Sequence, residues 1–259
     1  MNKLLGVIAL LLTGAAVSQW SLADDSLAAD QSTTDWGQYQ VGKKRTGYTY
    51  AQAETRAMQD DDFDNPGYIW VERGADAWTT SDGAAGQACQ SCHQDAAQTM
   101  VGVGARYPVY APERNKLINL EQRINQCRTE RMQAEAWPWE SDDLLGMTAY
   151  VRNQSLGMAV SPVIDGEAEP FFAAGKAFYH QRRGQLDLAC IHCHEMNHGR
   201  MLRAQRLSQG QANGFPTYRL KWQKMGSLHR RLRGCNNNVR AEPYPAGADE
   251  YVNLELYLA

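Results

Sequence analysis

Two stretches of the chain repeat an apolar pattern at helical spacing. Asp143-Leu144-Leu145-Gly146-Met147-Thr148-Ala149-Tyr150-Val151 sets Leu144, Met147 and Val151 on one face, and Glu250-Tyr251-Val252-Asn253-Leu254-Glu255-Leu256-Tyr257-Leu258 does the same with Tyr251, Leu254 and Leu258. Residues three and four apart share a helix face, so each stretch predicts an amphipathic helix. Acidic residues at each start suit the positive end of the helix dipole. These segments lie 107 residues apart, and an earlier correspondence at an offset of 101 sets Gly74 over Gly175, Trp78 over Tyr179 and Ala88 over Ala189. The expectation is a mainly α chain built on an internal repeat, with an opening and a closing helix in each copy. Between the copies, Arg152 to Pro170 contains Pro162, Gly166 and Pro170 and reads as a linker that cannot continue a helix, with a boundary near residue 160.

The N-terminus has a different pattern. Lys3, the apolar run Leu4 to Val17 and the small-x-small triplet Ser21-Leu22-Ala23 read as a cleavable export signal over residues 1–23. The run is too short for the ~20 residues of a membrane span. Residues 24–65, polar and with an Asp60-Asp61-Asp62 run, read as a solvated extension outside the repeat. A composition of 43% hydrophobic and 21% charged residues, with a mean hydropathy of −0.55, is that of a globular chain without an integral membrane body. The formal charge of −3 excludes a nucleic-acid-binding charge balance for the whole molecule. Export implies an oxidising compartment such as the periplasm, where six cysteines suggest a disulfide framework unless their spacing says otherwise.

The spacing does say otherwise. Cys89-Gln90-Ser91-Cys92-His93 and Cys190-Ile191-His192-Cys193-His194 are both Cys-x-x-Cys-His, the c-type haem attachment pattern. Two thiols a helical turn apart add to the two vinyl groups of one porphyrin, and the following His offers its imidazole to the iron. A thioredoxin-like use is the competing reading, but it requires no following His. Each copy then has the plan of a small cytochrome c: opening helix, haem motif, irregular chain round the haem, closing helix. The expected architecture is two tandem cytochrome c domains, 66–160 and 161–259, with two covalent haem c groups held by Cys89, Cys92, Cys190 and Cys193 and ligated by His93 and His194.

Each iron needs a second axial ligand. Cys127 lies 34 residues after His93 and Cys235 lies 41 after His194, equivalent places in the two copies, so both are assigned as thiolate ligands. A Cys127–Cys235 disulfide is the alternative, and His229 is the strongest rival ligand. Met196 and His198 follow His194 too closely to reach the opposite face, and Met100, Met147, Met158, Met201 and His180 have no repeated counterpart. From Met196 to Ala241 there are ten basic residues and no acidic one, an electropositive segment around Cys235 that would favour thiolate and concentrate a small anion. The matching part of the first copy is mixed in charge, which assigns chemistry to the second haem and leaves the first a structural or electron-transfer role.

Several longer motifs point to a family. Asn213-Gly214-Phe215-Pro216-Thr217-Tyr218-Arg219-Leu220-Lys221-Trp222, Gly226-Ser227-Leu228-His229-Arg230-Arg231, Cys235 and Val239-Arg240-Ala241-Glu242-Pro243 closely resemble SoxA, the dihaem subunit of the SoxAX cytochrome of sulfur-oxidising bacteria. Met58-Gln59-Asp60-Asp61-Asp62-Phe63-Asp64-Asn65-Pro66-Gly67 is similar to that family's N-terminal signature, so the likeness covers about residues 55 to 259. The resemblance implies an L-cysteine S-thiosulfotransferase that joins thiosulfate to a cysteine of the SoxYZ carrier and passes two electrons to cytochrome c acceptors. It also implies the small cytochrome SoxX as partner, Cys235 as the catalytic, haem-ligating cysteine found as a persulfide, Arg231 as the substrate-binding arginine, and Cys127 as distal ligand of the first haem. Ala204 stands where a Gly is expected. A thiosulfate dehydrogenase forming tetrathionate and a plain dihaem electron carrier are the other readings.

Overall fold

The structure, a computed structural model, describes residues 36–259. The predicted export signal and the first part of the extension lie outside the described residues. Strands β1 (Gln40–Val41) and β2 (Lys44–Arg45) form a short hairpin, followed by helices α1 (Ala53–Asp60), α2 (Tyr68–Thr79), α3 (Cys89–His93) and α4 (Ala96–Thr99). A hairpin of β3 (Val109–Ala111) and β4 (Lys116–Ile118) leads into α5 (Leu120–Cys127) and α6 (Asp142–Asn153). The same order then recurs: α7 (Glu169–His180), α8 (Cys190–His194), the hairpin β7 (Thr217–Arg219) with β8 (Lys224–Gly226), α9 (Leu228–Asn238) and α10 (Asp249–Leu258). One hairpin, β5 (Met201–Leu202) with β6 (Gln205–Arg206), has no counterpart in the earlier round.

Local chemistry explains where the helices start. Asn119 Oδ1 accepts from Gln122 N while Gln122 Oε1 accepts from Asn119 N, both at 3.0 Å, a reciprocal cap at the head of α5. Ser227 occupies the equivalent place before α9, accepting from Arg230 N at 3.1 Å, and Ser141 caps α6. The predicted linker is shorter than Arg152 to Pro170. Helix α6 runs through Asn153, and α7 begins at Glu169 with Pro170 in its first turn, where the missing N–H is not needed. Pro170 therefore opens a helix rather than barring one.

Opening and closing helices cross at glycine. A Cβ at Gly74 would sit 2.3 Å from Gly146 O and 2.5 Å from Tyr150 Cβ, and one at Gly175 would sit 2.0 Å from Asn253 O. Only glycine lets α2 meet α6, and α7 meet α10, this closely. One core joins Trp78, Leu120, Ile124, Leu144, Met147 and Val151; another joins Phe178, Tyr179, Leu228, Leu232, Tyr251 and Leu254. Met100 and Met147 lie in the first of these cores as packing residues.

Two smaller cores exchange elements between the rounds. Leu117, from β4, packs with Val252 and Leu256 of α10 and with Phe171, while Met225, from β8, packs with Leu145 and Ala149 of α6 and with Trp70. Each hairpin thus covers the outer face of the other round's helix pair. The burial of such side chains, at ~1.5–3 kcal/mol each, holds the two rounds together.

The N-terminal ends of the cysteine-bearing helices α5 and α9 both border a buried polar junction at Glu255 of α10. Glu255 Oε2 accepts from Asn119 Nδ2 at 3.2 Å and faces His229 Nε2 at 3.5 Å, and its Oε1 pairs with Arg152 Nη2 at 3.2 Å. Gly247 N–H donates to His229 Nδ1 at 2.9 Å, which makes that nitrogen an acceptor and leaves the ring proton on Nε2, toward Glu255. Trp139 stacks on the same ring at 5.1 Å. Burial and then the Glu255 charge push the Glu121 carboxyl up to about 7, whereas His229 and Arg152 outweigh burial at Glu255 and hold it below its usual value. The proton at this junction belongs on Glu121.

The described part of the extension is not a solvated tail. Thr49 and Tyr50 are buried, Arg45 Nη2 donates to Tyr50 Oη at 3.0 Å, and Lys44 Nζ donates to the Ala259 carbonyl at 3.2 Å. Among the described residues, no helix is long and apolar enough to cross a membrane.

Candidate functional site

Each Cys-x-x-Cys-His motif forms one short helix, α3 or α8, behind a bridged pair of residues, Asp82 with Gln87 and Arg183 with Leu188. The motif's central residues serve the helix start. Ser91 Oγ accepts from Ala88 N, and His192 Nδ1 accepts from Ala189 N, each at 3.0 Å. His192 is thus a cap whose chemistry parallels that of a serine at the same place in α3. Trp78 Nε1 donates to the carbonyl of Gln94 at 2.9 Å and its ring lies 5.8 Å from that of His93, which ties α2 to the end of the first motif.

At the second motif the imidazole is held on two sides. His194 Nδ1–H donates to the Ser208 carbonyl at 2.8 Å, which turns the ring's other nitrogen toward Cys235. Gly210, at φ +86°, lies under the same ring: a Cβ there would be 3.0 Å from His194 Cγ and 3.1 Å from Nδ1. Cys235, two turns into α9 and half-buried, faces His194 closely enough to hydrogen bond with it. Burial alone would push the Cys235 thiol up, but the His194 hydrogen bond and the charges of Arg231, His194 and Arg219 outweigh it and the thiol falls below its ordinary value. Burial, then the charge of Cys235, pushes the Cys190 thiol up to about 11.

The first site is electrostatically different. Cys127 ends α5 close to Cys89 and Cys92, but burial outweighs Arg123 and Arg131 there and its thiol is pushed up. The two equivalent cysteines therefore differ in their readiness to ionise. No disulfide joins them: all six cysteines are free, Cys127 standing among the first motif's thiols and Cys235 among the second's. His229 lies in the polar junction, with its Nδ1 taken by Gly247.

The basic segment is less uniform in space than in sequence. Glu140 and Asp142, both outside it, pair with Arg230 at 3.7 Å and Lys224 at 3.0 Å, and Glu140 also accepts from Ser227 Oγ. Arg231, four residues before Cys235 on α9, lies on that cysteine's side of the helix. Arg219 was not singled out by sequence although it stands within the Asn213–Trp222 motif. It enters the same field from β7, anchored by Nη2 to Gln205 Oε1 at 2.6 Å and lying 5.1 Å above the Trp222 ring. Ser208 and Gly210 were missed as well, since a backbone carbonyl and a glycine carry no chemical signature in sequence.

Among the described residues, no group of three or more His, Cys, Asp or Glu could hold a bare metal ion. A His and a Cys facing each other, with two further thiols one turn apart beside them, instead fit an iron whose other four ligands come from a porphyrin. These features define a c-type cytochrome, and residues 73–160 match the family model SoxA/TsdA, cytochrome c domain. Haem c is accordingly its cofactor. The L-cysteine S-thiosulfotransferase subunit SoxA of Pseudaminobacter salicylatoxidans is 46% identical over 214 residues, spanning 82% of this chain and 75% of that protein. Its namesake from Paracoccus pantotrophus is 44% identical over 214 residues, spanning 83% and 73%. The crystal structure of SoxXA from P. pantotrophus matches with a TM-score of 0.80 at 44% identity, over 83% of this chain and 81% of that one. The chain belongs to the SoxA family.

Proposed function

We propose that this chain is the catalytic subunit of an L-cysteine S-thiosulfotransferase, joining thiosulfate to a cysteine of a SoxYZ-type carrier in complex with a SoxX-type cytochrome. The observation that carries this reading is the placement of Cys235 on α9, facing His194 beside the second motif, with Arg231 one turn before it on the same helix. The reading comprises two tandem cytochrome c domains, 66–160 and 161–259, each with one haem c. Cys89 and Cys92 hold the first haem with His93 and Cys127 as ligands, and Cys190 and Cys193 hold the second with His194 and Cys235. It also comprises export to the periplasm on the 1–23 signal.

The overall change joins thiosulfate and a carrier thiol into a carrier S–S–SO3⁻ group, with loss of one proton and two electrons. Haem c, held by Cys190 and Cys193 with His194 and Cys235, would supply the one-electron redox chemistry that this change needs, with cytochrome acceptors taking the two electrons. The chain's own residues bind and orient. Arg231 and Arg219 offer guanidinium N–H donors to the sulfonate oxygens, and a guanidinium fork can make two charge-assisted bonds to such a group. Cys235, with Arg231 one turn before it on α9, presents the sulfur at which sulfur transfer takes place. His194 keeps its Nε2 directed toward the site because Ser208 holds its other nitrogen. The first site, with its thiol pushed up and its charges mixed, is assigned electron transfer or structure.

The test is carrier dependence. Purified holo complex supplied with thiosulfate and a cytochrome acceptor should reduce the acceptor only when a carrier with a free cysteine is present. Tetrathionate formed without the carrier would make the protein a thiosulfate dehydrogenase, and reduction of neither kind would make it an electron carrier.

A further inference from the structure

The extension reaches the second site. The side chain of Gln209 joins the turn of the β1–β2 hairpin through both of its polar atoms: Oε1 accepts from Arg45 N at 2.7 Å and Nε2 donates to the Lys43 carbonyl at 3.0 Å. A second clasp lies nearby, where Tyr50 Oη and His198 Nδ1 are 3.3 Å apart. Gln209 stands between the two residues that hold the His194 ring, Ser208 by its carbonyl and Gly210 by close approach. The loop's inner end is fixed by Leu207 N to Arg200 O at 2.9 Å and Gly199 N to Leu207 O at 2.7 Å, and Gly210 N donates to Ser208 Oγ at 3.2 Å. Gln209 links this loop to the hairpin of the extension. Nothing comparable serves the first motif: among the described residues, the hydrogen bond at His93 reaches its backbone carbonyl, from Thr99 Oγ1.

We propose that the β1–β2 hairpin is a positioning element of the second haem site, acting through Gln209 to hold Ser208 and Gly210 against the imidazole of His194. An axial imidazole is constrained in its ring rotation by the bond at its other nitrogen, and that second-shell bond tunes the ligand's basicity and orientation. The Ser208 carbonyl can do this only while its loop is still. Two hydrogen bonds from one amide to adjacent backbone groups fix the loop with a single side chain's loss of entropy. The contacts of Gln209 assign the hairpin a task at the second motif rather than at the first.

The inference rests on the reading of His194 as a haem ligand, and its test separates the two. Full-length holo complexes are compared by electron paramagnetic resonance and by hydrogen exchange, for the wild type, Gln209→Ala, Gln209→Glu and His194→Ala. Gln209→Ala should speed exchange at the Arg45 amide about tenfold, the loss of one hydrogen bond. It should also shift or broaden the low-spin signal of the second haem while leaving that of the first unchanged. Gln209→Glu keeps the acceptor for Arg45 N–H and loses the donor to Lys43, so both readouts should fall between wild type and Gln209→Ala. An unchanged second-haem signal overturns the proposal, whether Arg45 exchange has risen or has stayed at the wild-type rate. A second-haem low-spin signal that survives His194→Ala overturns instead the ligand assignment on which it rests.

Discussion

Replacing Gly210 by Ala tests the support of the second site at one atom. Alanine at φ +86° carries a left-handed backbone penalty of ~1 kcal/mol or more. Its Cβ would stand 3.0 Å from His194 Cγ and 3.1 Å from Nδ1, against the ~3.5 Å of an unstrained contact. The ring must then give by about half an ångström, and it can do so only by pulling on the 2.8 Å bond from Nδ1 to Ser208, at a further ~1 kcal/mol. The sum, ~2–3 kcal/mol, is a fall of about 5–10 °C in melting temperature for a chain of roughly 150–250 residues that unfolds as one unit. Gly214→Ala is the control, since no atom lies within 4 Å of its added Cβ. Thermal melting of the holo complexes, followed at the Soret band, measures the difference. Equal melting temperatures for Gly210→Ala and Gly214→Ala, with unchanged spectra, would refute the reasoning.

Gly175→Ala places a Cβ 2.0 Å from the Asn253 carbonyl and should force α7 and α10 apart, costing ~3 kcal/mol or more, with Gly74→Ala similar at α2 and α6; denaturant midpoints measure both, and wild-type midpoints would contradict the helix crossings. Glu121 gives stability a pH dependence. Its folded value of about 7 lies above the usual 4.5, so its contribution is complete below about 4.5 and is lost as pH rises through about 7. Glu121→Gln should flatten that decline between pH 5 and 8, and an equal decline in both proteins would contradict the burial argument. Arg231→Lys keeps the charge but loses the fork and should lower kcat/KM for thiosulfate by about tenfold or more, whereas Arg200→Lys should stay within about twofold; parallel steady-state assays decide.

What could be read in sequence was what covalent chemistry or helical period dictates. Cys89 to His93 and Cys190 to His194 are legible because two vinyl groups and one iron fix their spacing. The closing helices are legible because Leu144, Met147 and Val151, and Tyr251, Leu254 and Leu258, keep a helical period. The exchange of hairpins between rounds was not, since nothing local to Leu117 or Met225 says that its partners are Val252 or Leu145, far away in the sequence. The basic segment misled in part for the same reason: it contains no acid, but Glu140 and Asp142 reach it across the fold. The extension read as solvated because its polar side chains dominate, whereas the backbone of Lys43 and Arg45 and the side chains of Lys44 and Tyr50 all find partners on the second half of the chain. The difference between Cys127 and Cys235, equivalent by repeat, required the three-dimensional placement of His194, Arg231 and Arg219.

The central claim is that Cys235 is a sulfur-transferring centre and not only a ligand, and the most direct measurement is the mass of the carrier after reaction. Wild-type holo complex, thiosulfate and a cytochrome acceptor should leave the carrier cysteine heavier by one S–SO3 group. Cys235→Met, whose thioether can still occupy an axial position, should leave the carrier mass unchanged with its haem content intact. A carrier modified at the wild-type rate by Cys235→Met would contradict the account and reduce Cys235 to an iron ligand.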